Sequence, residues 1–143
     1  MNKGITLTLE RHIQASPEAV WEALTNPGMV KQYFFGTDMV TTWKVGEPIF
    51  WRGEWEGVGY EDKGIVLEFE PLKRLKYKYW SSFSGIPDLP ENYASISCAI
   101  REENGATILT VIQDGLENEE KRAHSEQNWL AVLEGMEGLL AAR

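Results

Sequence analysis

The C-terminal segment, NEEKRAHSEQNWLAVLEGMEGLLAAR, carries the pattern that most restricts the fold. Its apolar residues recur at three- and four-residue spacing, which predicts one long amphipathic helix over roughly Asn118 to Ala141. Asn118 and the two glutamates after it suit a helix start, because they complement free backbone N–H groups. Such a helix must bury its apolar stripe against a large apolar surface. The stripe consists of Trp129, Val132, Leu133, Met136, Leu139 and Leu140.

The middle of the chain can supply that surface as a sheet. Alternating segments are separated by turn signals such as Asn104-Gly105, whose residues tolerate the positive φ of a tight hairpin. Connections this short imply that successive strands pair antiparallel in a meander. A first strand is predicted within Ile5 to Ile13. The later predicted strands are Met39–Trp43, Ile49–Trp55, Gly64–Glu70, Leu75–Phe83, Tyr93–Arg101 and Thr107–Gln113.

One face of this predicted sheet is strongly aromatic. The chain has six tryptophans and five tyrosines, many of them in the central strands. Alternation predicts that Ile65, Leu67 and Phe69 share one face of their strand. The next strand alternates lysines with aromatic residues, namely Tyr77, Tyr79 and Phe83.

Two helix starts, Ser16-Pro17 and Asn26-Pro27, follow the first strand closely. Each predicted helix is too short to be stable alone, so both must pack on something larger. We expect them to plug one end of the groove between sheet and long helix, with Trp21 and the cluster Tyr33-Phe34-Phe35 packed there. A DNA-reading helix–turn–helix is disfavoured, because Lys31 is the one basic residue on the second helix.

This element order predicts an α+β helix-grip fold. A curled antiparallel sheet of about seven strands would hold two short helices and one long C-terminal helix. The length of 143 residues suits a single domain covering residues 1–143.

Several runs resemble a known family. The run ASPEAVWEALTNPGMVKQYF is similar to the N-terminal signature of the domain found in activators of the heat-shock-protein-ninety ATPase and in stand-alone bacterial relatives. The runs LPENYASISCAI, GATILTVIQDG and KRAHSEQNWLAVLEGM are similar to that family's later strands and closing helix. The family belongs to the SRPBCC superfamily of START-related and birch-pollen-allergen-like proteins. The resemblance implies the helix-grip fold with a cavity between sheet and long helix.

Charge and composition restrict the partners and the location. A formal net charge of −8 is the opposite of what a phosphate backbone or an anionic membrane attracts, so neither nucleic acid nor a membrane is expected as a partner. The sequence shows no signal-peptide pattern and no stretch near the ~18 apolar residues of a spanning helix, which predicts a cytoplasmic protein. The lone Cys98 is expected to be a reduced core residue.

The sequence offers little for catalysis. His12 and His124, the two histidines, are both expected to be solvated, and no metal-ligand spacing, nucleophile motif or phosphate loop is present. We therefore assign no catalytic residue, no metal site and no cofactor.

The aromatic face allows two interpretations. Its residues either fill a closed core or line a cavity for a flat apolar ligand. Arg11, on an otherwise apolar face, either anchors a ligand carboxylate or pairs with a glutamate at the sheet edge. The candidate ligand-binding residues are Phe35, Phe69, Tyr77, Tyr79, Phe83, Trp129, Met136 and Arg11.

Three functions remain open from the sequence. The preferred one is binding of a small hydrophobic or aromatic molecule in the groove. The second is a protein-interaction module, which the resemblance to the ATPase activators implies. The third is a cyclase- or hydrolase-type enzyme using Tyr, Glu or His as proton donor or acceptor. The Pro-rich loop from Ser84 to Asn92 is expected to be either a stiff cover or a lid at the groove mouth.

Overall fold

The computed structural model describes residues 4–34, 36–82 and 85–141. Within these ranges the helices are α1 (Pro17–Thr25), α2 (Pro27–Tyr33) and α3 (Glu119–Ala141). The strands are β1 (Ile5–Ile13), β2 (Asp38–Thr41), β3 (Pro48–Trp55), β4 (Val58–Glu70), β5 (Arg74–Trp80), β6 (Ala94–Glu103) and β7 (Ala106–Leu116).

The strands form one sheet in the order β1-β7-β6-β5-β4-β3-β2, with every neighbouring pair antiparallel. Successive strands from β2 to β7 are therefore neighbours, and β1 joins the far edge beside β7. The helix α3 packs on β1, β7, α1 and α2. This architecture is the predicted α+β helix-grip fold.

The two short helices begin as the sequence predicts. Ser16 Oγ accepts a hydrogen bond from the Ala19 N–H at 3.1 Å, and a proline follows it in the first turn. Asn26 ends α1 by donating its N–H to the Glu22 carbonyl, and its side chain then accepts from the Gly28 N–H at 2.8 Å to start α2. One residue thus ends α1 and starts α2.

The β3–β4 hairpin differs from the sequence prediction, which began β4 at Gly64. Glu56 and Gly57 form a two-residue turn with φ of 50° and 81°, and Trp55 pairs with Val58 immediately across it. Two left-handed residues are what a tight hairpin requires, so β4 begins directly after the turn.

The strand β2 ends earlier than the sequence predicts. Trp43 lies outside the strand, because its φ of 56° cannot continue an extended chain.

The predicted shared face of Ile65, Leu67 and Phe69 is wrong. The pairing of β4 with β5 shifts register between Val66 and Glu68, so the side-chain alternation changes phase there. Val66 is 0% exposed in the core, whereas Ile65 is 42% exposed on the opposite face. Phe69, beyond the shift, packs against the core.

The core lies between the inner face of the sheet and the three helices. The stripe of α3 is buried as predicted at Val132, Leu133, Met136 and Leu140, with Trp129 and Leu139 half-buried against the same cluster. Trp21 of α1 is also buried. Tyr33 and Phe34 pack on this cluster as expected, while Phe35 lies outside the described residues.

Candidate functional site

The groove between sheet and α3 contains a small cavity. Its volume is about 40 Å³, whereas sites for drug-sized ligands measure about 300–1,000 Å³. Side chains thus fill most of the groove in this state. The cavity is lined by Leu24, Val30, Tyr33, Phe34, Met39, Trp43, Trp51, Leu75, Tyr77, Cys98, Trp129, Val132 and Met136.

Trp43 forms one wall of the cavity from an unusual backbone position. Its left-handed φ turns the chain after β2, and its indole Nε1 donates to the Thr25 carbonyl at 3.0 Å. The indole stacks on Phe69 with ring centroids 5.4 Å apart. Contacts to α1 and β4 therefore hold Trp43 in place on both sides.

Trp51 and Tyr77 form the floor of the cavity, and Tyr79 lies behind Trp51. The Trp51 ring lies 5.3 Å from the Tyr77 ring and 5.2 Å from the Tyr79 ring, centroid to centroid. Gly64 makes room for this arrangement, because a Cβ there would lie 3.0 Å from the Trp51 ring and 2.3 Å from the Lys78 carbonyl oxygen. Aromatic pairs in such tilted and edge-to-face geometry contribute beyond their buried area.

The tyrosine hydroxyls separate into two kinds. Four of the five tyrosines donate a hydrogen bond: Tyr33 to the Ala23 carbonyl, Tyr60 to Thr37, Tyr79 to Asp62, and Tyr93 to Asp88. None of the side-chain hydrogen bonds among the described residues involves the hydroxyl of Tyr77, although this residue is only 9% exposed. Burial raises the pKa of Tyr77 well above its usual value, so the hydroxyl keeps its proton.

Cys98 is the other titratable group at the floor. It is free and buried, and burial raises the pKa of its thiol to about 12. Neither a carboxylate nor a histidine is among the lining residues that the structure describes. These side chains can surround an apolar molecule, but they offer no acid or base that changes protonation near neutral pH.

The structure brings together three of the predicted site residues, since Tyr77, Trp129 and Met136 line the cavity. Phe69 and Tyr79 lie one layer behind it, stacked on Trp43 and packed edge-on against Trp51. Phe35 and Phe83 fall outside the described residues.

Arg11 does not line the cavity. Its guanidinium pairs with Glu137 of α3 at 2.9 Å, and this hydrogen-bonded partner raises the pKa of Arg11. A glutamate pairing was one of the two expectations, but the partner belongs to the long helix and not to the sheet edge. Together with the bond from Trp129 Nε1 to Gln113 Oε1 at 3.0 Å, this ion pair fastens α3 to β1 and β7.

Sequence reasoning missed Trp43, Trp51 and Cys98 as lining residues. Cys98 had a usable signal, because it lies between Ile96 and Ile100 in the inward-facing alternation of β6. Trp51 occupies the corresponding inward position in β3. The sequence gives no such signal for Trp43. Its inward position depends on a left-handed backbone conformation, which a tryptophan rarely adopts and therefore does not predict.

The described part of the Pro-rich loop after β5, residues 85–92, lies away from the cavity, whereas Ser84 falls outside the described residues. Asp88 pairs with Lys63 at 2.9 Å, and Trp80 Nε1 donates to the Ile86 carbonyl at 3.1 Å. Lys63 and Trp80 face each other across β4 and β5 on the side opposite to Tyr77 and Tyr79. None of residues 85–92 lines the cavity in the groove. In this state the segment is a surface cover.

A broader depression of about 690 Å³ lies beside this loop and opens widely to solvent. Its charged groups are paired with one another, Arg52 with Glu61 and Lys63 with Asp88. A molecule bound there would stay in contact with water beside charged groups, so the groove cavity is the better candidate site for an apolar ligand.

Two features are absent from the part of the chain that the structure describes. No group of three or more His, Cys, Asp or Glu side chains is placed to hold a metal ion. None of the described helices is long and apolar enough to cross a membrane.

Comparison with known proteins agrees with the fold. The architecture and the groove define a helix-grip protein of the SRPBCC type. A family model described as "Activator of Hsp90 ATPase homolog 1-like protein" matches residues 14–141, and the chain belongs to this family. No curated protein matches the chain.

Solved structures extend this result. The solution structure of ChR145 from Cytophaga hutchinsonii is 40% identical, with a TM-score of 0.85 over 99% of this chain and 97% of that one. Protein MLL2253 from Mesorhizobium loti is 23% identical, with a TM-score of 0.81 over 96% and 98%. The Aha1 dimer from Colwellia psychrerythraea is 20% identical, with a TM-score of 0.75 over 95% and 96%. The last two likenesses concern the fold alone.

Proposed function

We propose that the protein binds a small, flat, hydrophobic or aromatic molecule in the groove between the sheet and α3. The observation that carries this proposal is the cavity, which is enclosed by apolar and aromatic side chains from α1, α2, α3 and the central strands. Such a lining favours apolar molecules, because their burial is driven by the surface they remove from water.

Binding requires the cavity to enlarge. A volume of about 40 Å³ holds little more than one water molecule. The wall best suited to move is α2, because a helix of seven residues has little stability of its own. Two residues of α2, Val30 and Tyr33, line the cavity, and so does Phe34 at its C-terminal end. Where α2 meets α3, the Tyr33 backbone packs directly on Gly135. Outward movement of α2 would break this contact and widen the groove.

Cys98 provides a direct test, because it is the single cysteine and lines the cavity. A library of small neutral aromatic compounds is screened for a concentration-dependent rise in melting temperature. Each hit is then added while methyl methanethiosulfonate modifies Cys98. A ligand in the groove is expected to slow this modification in proportion to its occupancy.

The matched control is the variant Cys98→Ser/Val45→Cys, since Val45 is 65% exposed and is not among the lining residues. Modification of this control should not respond to the same compounds. The proposal is refuted if no compound raises the melting temperature, or if the hits leave the modification rate of Cys98 unchanged.

A second candidate is a protein-interaction module. The small size of the cavity favours it, because a filled groove leaves the surface as the working part of the molecule. The family description points to the Hsp90 ATPase as the partner. The test is the ATPase rate of Hsp90 from the same organism, measured with increasing amounts of this protein. An unchanged rate at saturating concentration would reject this candidate.

A further inference from the structure

The hydroxyl of Tyr77 is a buried polar group that the folded protein leaves without use. Every fully buried side-chain nitrogen or oxygen among the described residues has a hydrogen-bond partner. The Tyr77 hydroxyl has none in that part of the chain, so it must retain some accessible surface, and Tyr77 lines the cavity. A hydroxyl placed in this way is a donor without an acceptor among the described residues, and it belongs to a residue beside an internal space that an acceptor can enter.

Most of the neighbouring polar groups are already occupied or weak. The Tyr33 hydroxyl donates to the Ala23 carbonyl at 2.7 Å, and the Trp129 indole donates to Gln113 at 3.0 Å. The Trp43 indole donates to the Thr25 carbonyl. The thiol of Cys98 is a poor hydrogen-bond donor. The Tyr77 hydroxyl and the Trp51 indole N–H, which also makes no hydrogen bond among the described residues, are therefore the strong donors that these lining side chains leave for a molecule in the cavity.

The lining also restricts the charge of that molecule. No lysine, arginine or histidine is among the described lining residues, and the guanidinium of Arg11 is held by Glu137 outside the cavity. A carboxylate placed in the groove would lose its hydration without meeting a cation. A neutral oxygen would lose less, because a single hydroxyl can satisfy it.

We propose that the ligand of this groove is a neutral aromatic molecule carrying an oxygen acceptor, such as a carbonyl, which accepts a hydrogen bond from the Tyr77 hydroxyl. This inference rests on the proposed ligand-binding function and adds the chemical class of the ligand. The rings of Trp51 and Trp43, 5.3 and 6.4 Å from the Tyr77 ring, provide flat surfaces beside the donor. The aromatic part of the ligand would pack on these rings with its oxygen directed at Tyr77.

Three probes of nearly equal size separate the contributions. Acetophenone has a ring and a carbonyl oxygen, α-methylstyrene replaces that oxygen by a CH₂ group, and benzoate adds a negative charge. Dissociation constants are measured at pH 7 by tryptophan fluorescence and by protection of Cys98 from modification. One hydrogen bond of ordinary strength corresponds to roughly a 2- to 12-fold difference in affinity.

The proteins compared are the unmodified chain, Tyr77→Phe and Tyr93→Phe. The first substitution removes the free donor and no hydrogen bond among the described residues, so it should leave the fold intact, which circular dichroism checks. The second removes a hydroxyl that donates to Asp88 outside the cavity and serves as the control. We expect acetophenone to bind about 5-fold more tightly than α-methylstyrene in the unmodified protein and in Tyr93→Phe, and equally tightly in Tyr77→Phe. Benzoate should bind at least about 10-fold more weakly than acetophenone in all three.

The possible outcomes are distinguishable. If α-methylstyrene protects Cys98 as well as acetophenone does, or if Tyr77→Phe keeps the preference for acetophenone, the groove still binds ligands but Tyr77 does not select them. Benzoate binding as tight as acetophenone would likewise overturn the proposed neutrality. If none of the three probes binds at its solubility limit, while the wider library also fails, the proposed function falls together with this inference.

Discussion

Two glycines of α3 provide a matched test of the contact between α2 and α3. An added Cβ at Gly135 would lie 3.3 Å from both Cβ and the carbonyl oxygen of Tyr33, whereas at Gly138 no atom lies within 4 Å. Replacement of a helical glycine by alanine stabilises a helix by about 0.8–1.0 kcal/mol. Gly138→Ala should gain this whole amount, which corresponds to a rise in melting temperature of roughly 3 °C for a chain of this length.

Gly135→Ala has the same propensity gain but must push Tyr33 away by a few tenths of an ångström. Crowding of this kind costs about 1–3 kcal/mol, so the net change should lie between roughly zero and a loss of 2 kcal/mol. Urea unfolding of both variants measures the difference, and the modification rate of Cys98 should rise in Gly135→Ala alone. Equal stabilisation by the two alanines would refute the close packing of α2 on α3 and, with it, the role given to α2 as the movable wall.

Three further results follow from the contacts of single side chains. In urea titrations, Tyr77→Phe should leave the free energy of unfolding unchanged or raise it by up to ~1 kcal/mol. Tyr33→Phe should lower it by about 1–3 kcal/mol, because the Ala23 carbonyl loses its hydrogen bond. Trp129→Ala should cost about 3–5 kcal/mol because the groove is closed, and a much smaller cost in the same assay would indicate an open pocket. Hydrogen bonds from the Tyr93 hydroxyl and, second, from Lys63 lower the pKa of Asp88. The stability that these bonds give to the loop is therefore complete above the ordinary pKa of 3.8 and is lost as pH falls through the lowered value. Carbon-13 titration of the carboxyl group should place its midpoint below 3.8, and a midpoint at or above that value would contradict these hydrogen bonds.

Much of the fold follows from short-range patterns in the sequence. The three- and four-residue spacing of α3, the Ser16 and Asn26 caps and the Asn104-Gly105 turn each depend on residues close together in the chain. Both turn residues have the expected positive φ, 51° and 82°. Apart from the strand ends at Trp43 and Val58, the error lies where a strand changes phase. The register shift between Val66 and Glu68 reverses the alternation, and β4 shows no glycine or proline at that point to announce it.

The site was harder to predict than the fold, because side-chain partners lie far apart in the sequence. Arg11 finds its glutamate 126 residues later in the chain. Tyr79 faces the core as its alternation indicates, but its hydroxyl is taken by Asp62, 17 residues earlier, while that of Tyr77 remains free. The pattern of Tyr77 and Tyr79 in the sequence is the same, so periodicity cannot distinguish a satisfied hydroxyl from a free one.

The small cavity and the free hydroxyl of Tyr77 have related energetic consequences. A phenylalanine at position 77 would keep the contact with Trp51 without a hydroxyl that lacks a partner among the described residues, so we expect Tyr77→Phe to be at least as stable as the unmodified protein when no ligand is bound. If a ligand binds as proposed, an acceptor in the groove would pair this hydroxyl in a water-poor environment, and the unmodified protein would then gain stability that the phenylalanine variant cannot gain. An oxygen-bearing ligand should therefore stabilise the fold more than its buried apolar area alone predicts. The additional stabilisation by this ligand, relative to an oxygen-free ligand of the same shape, should vanish in Tyr77→Phe. The stability of the liganded protein would then depend on whether the ligand carries a hydrogen-bond acceptor.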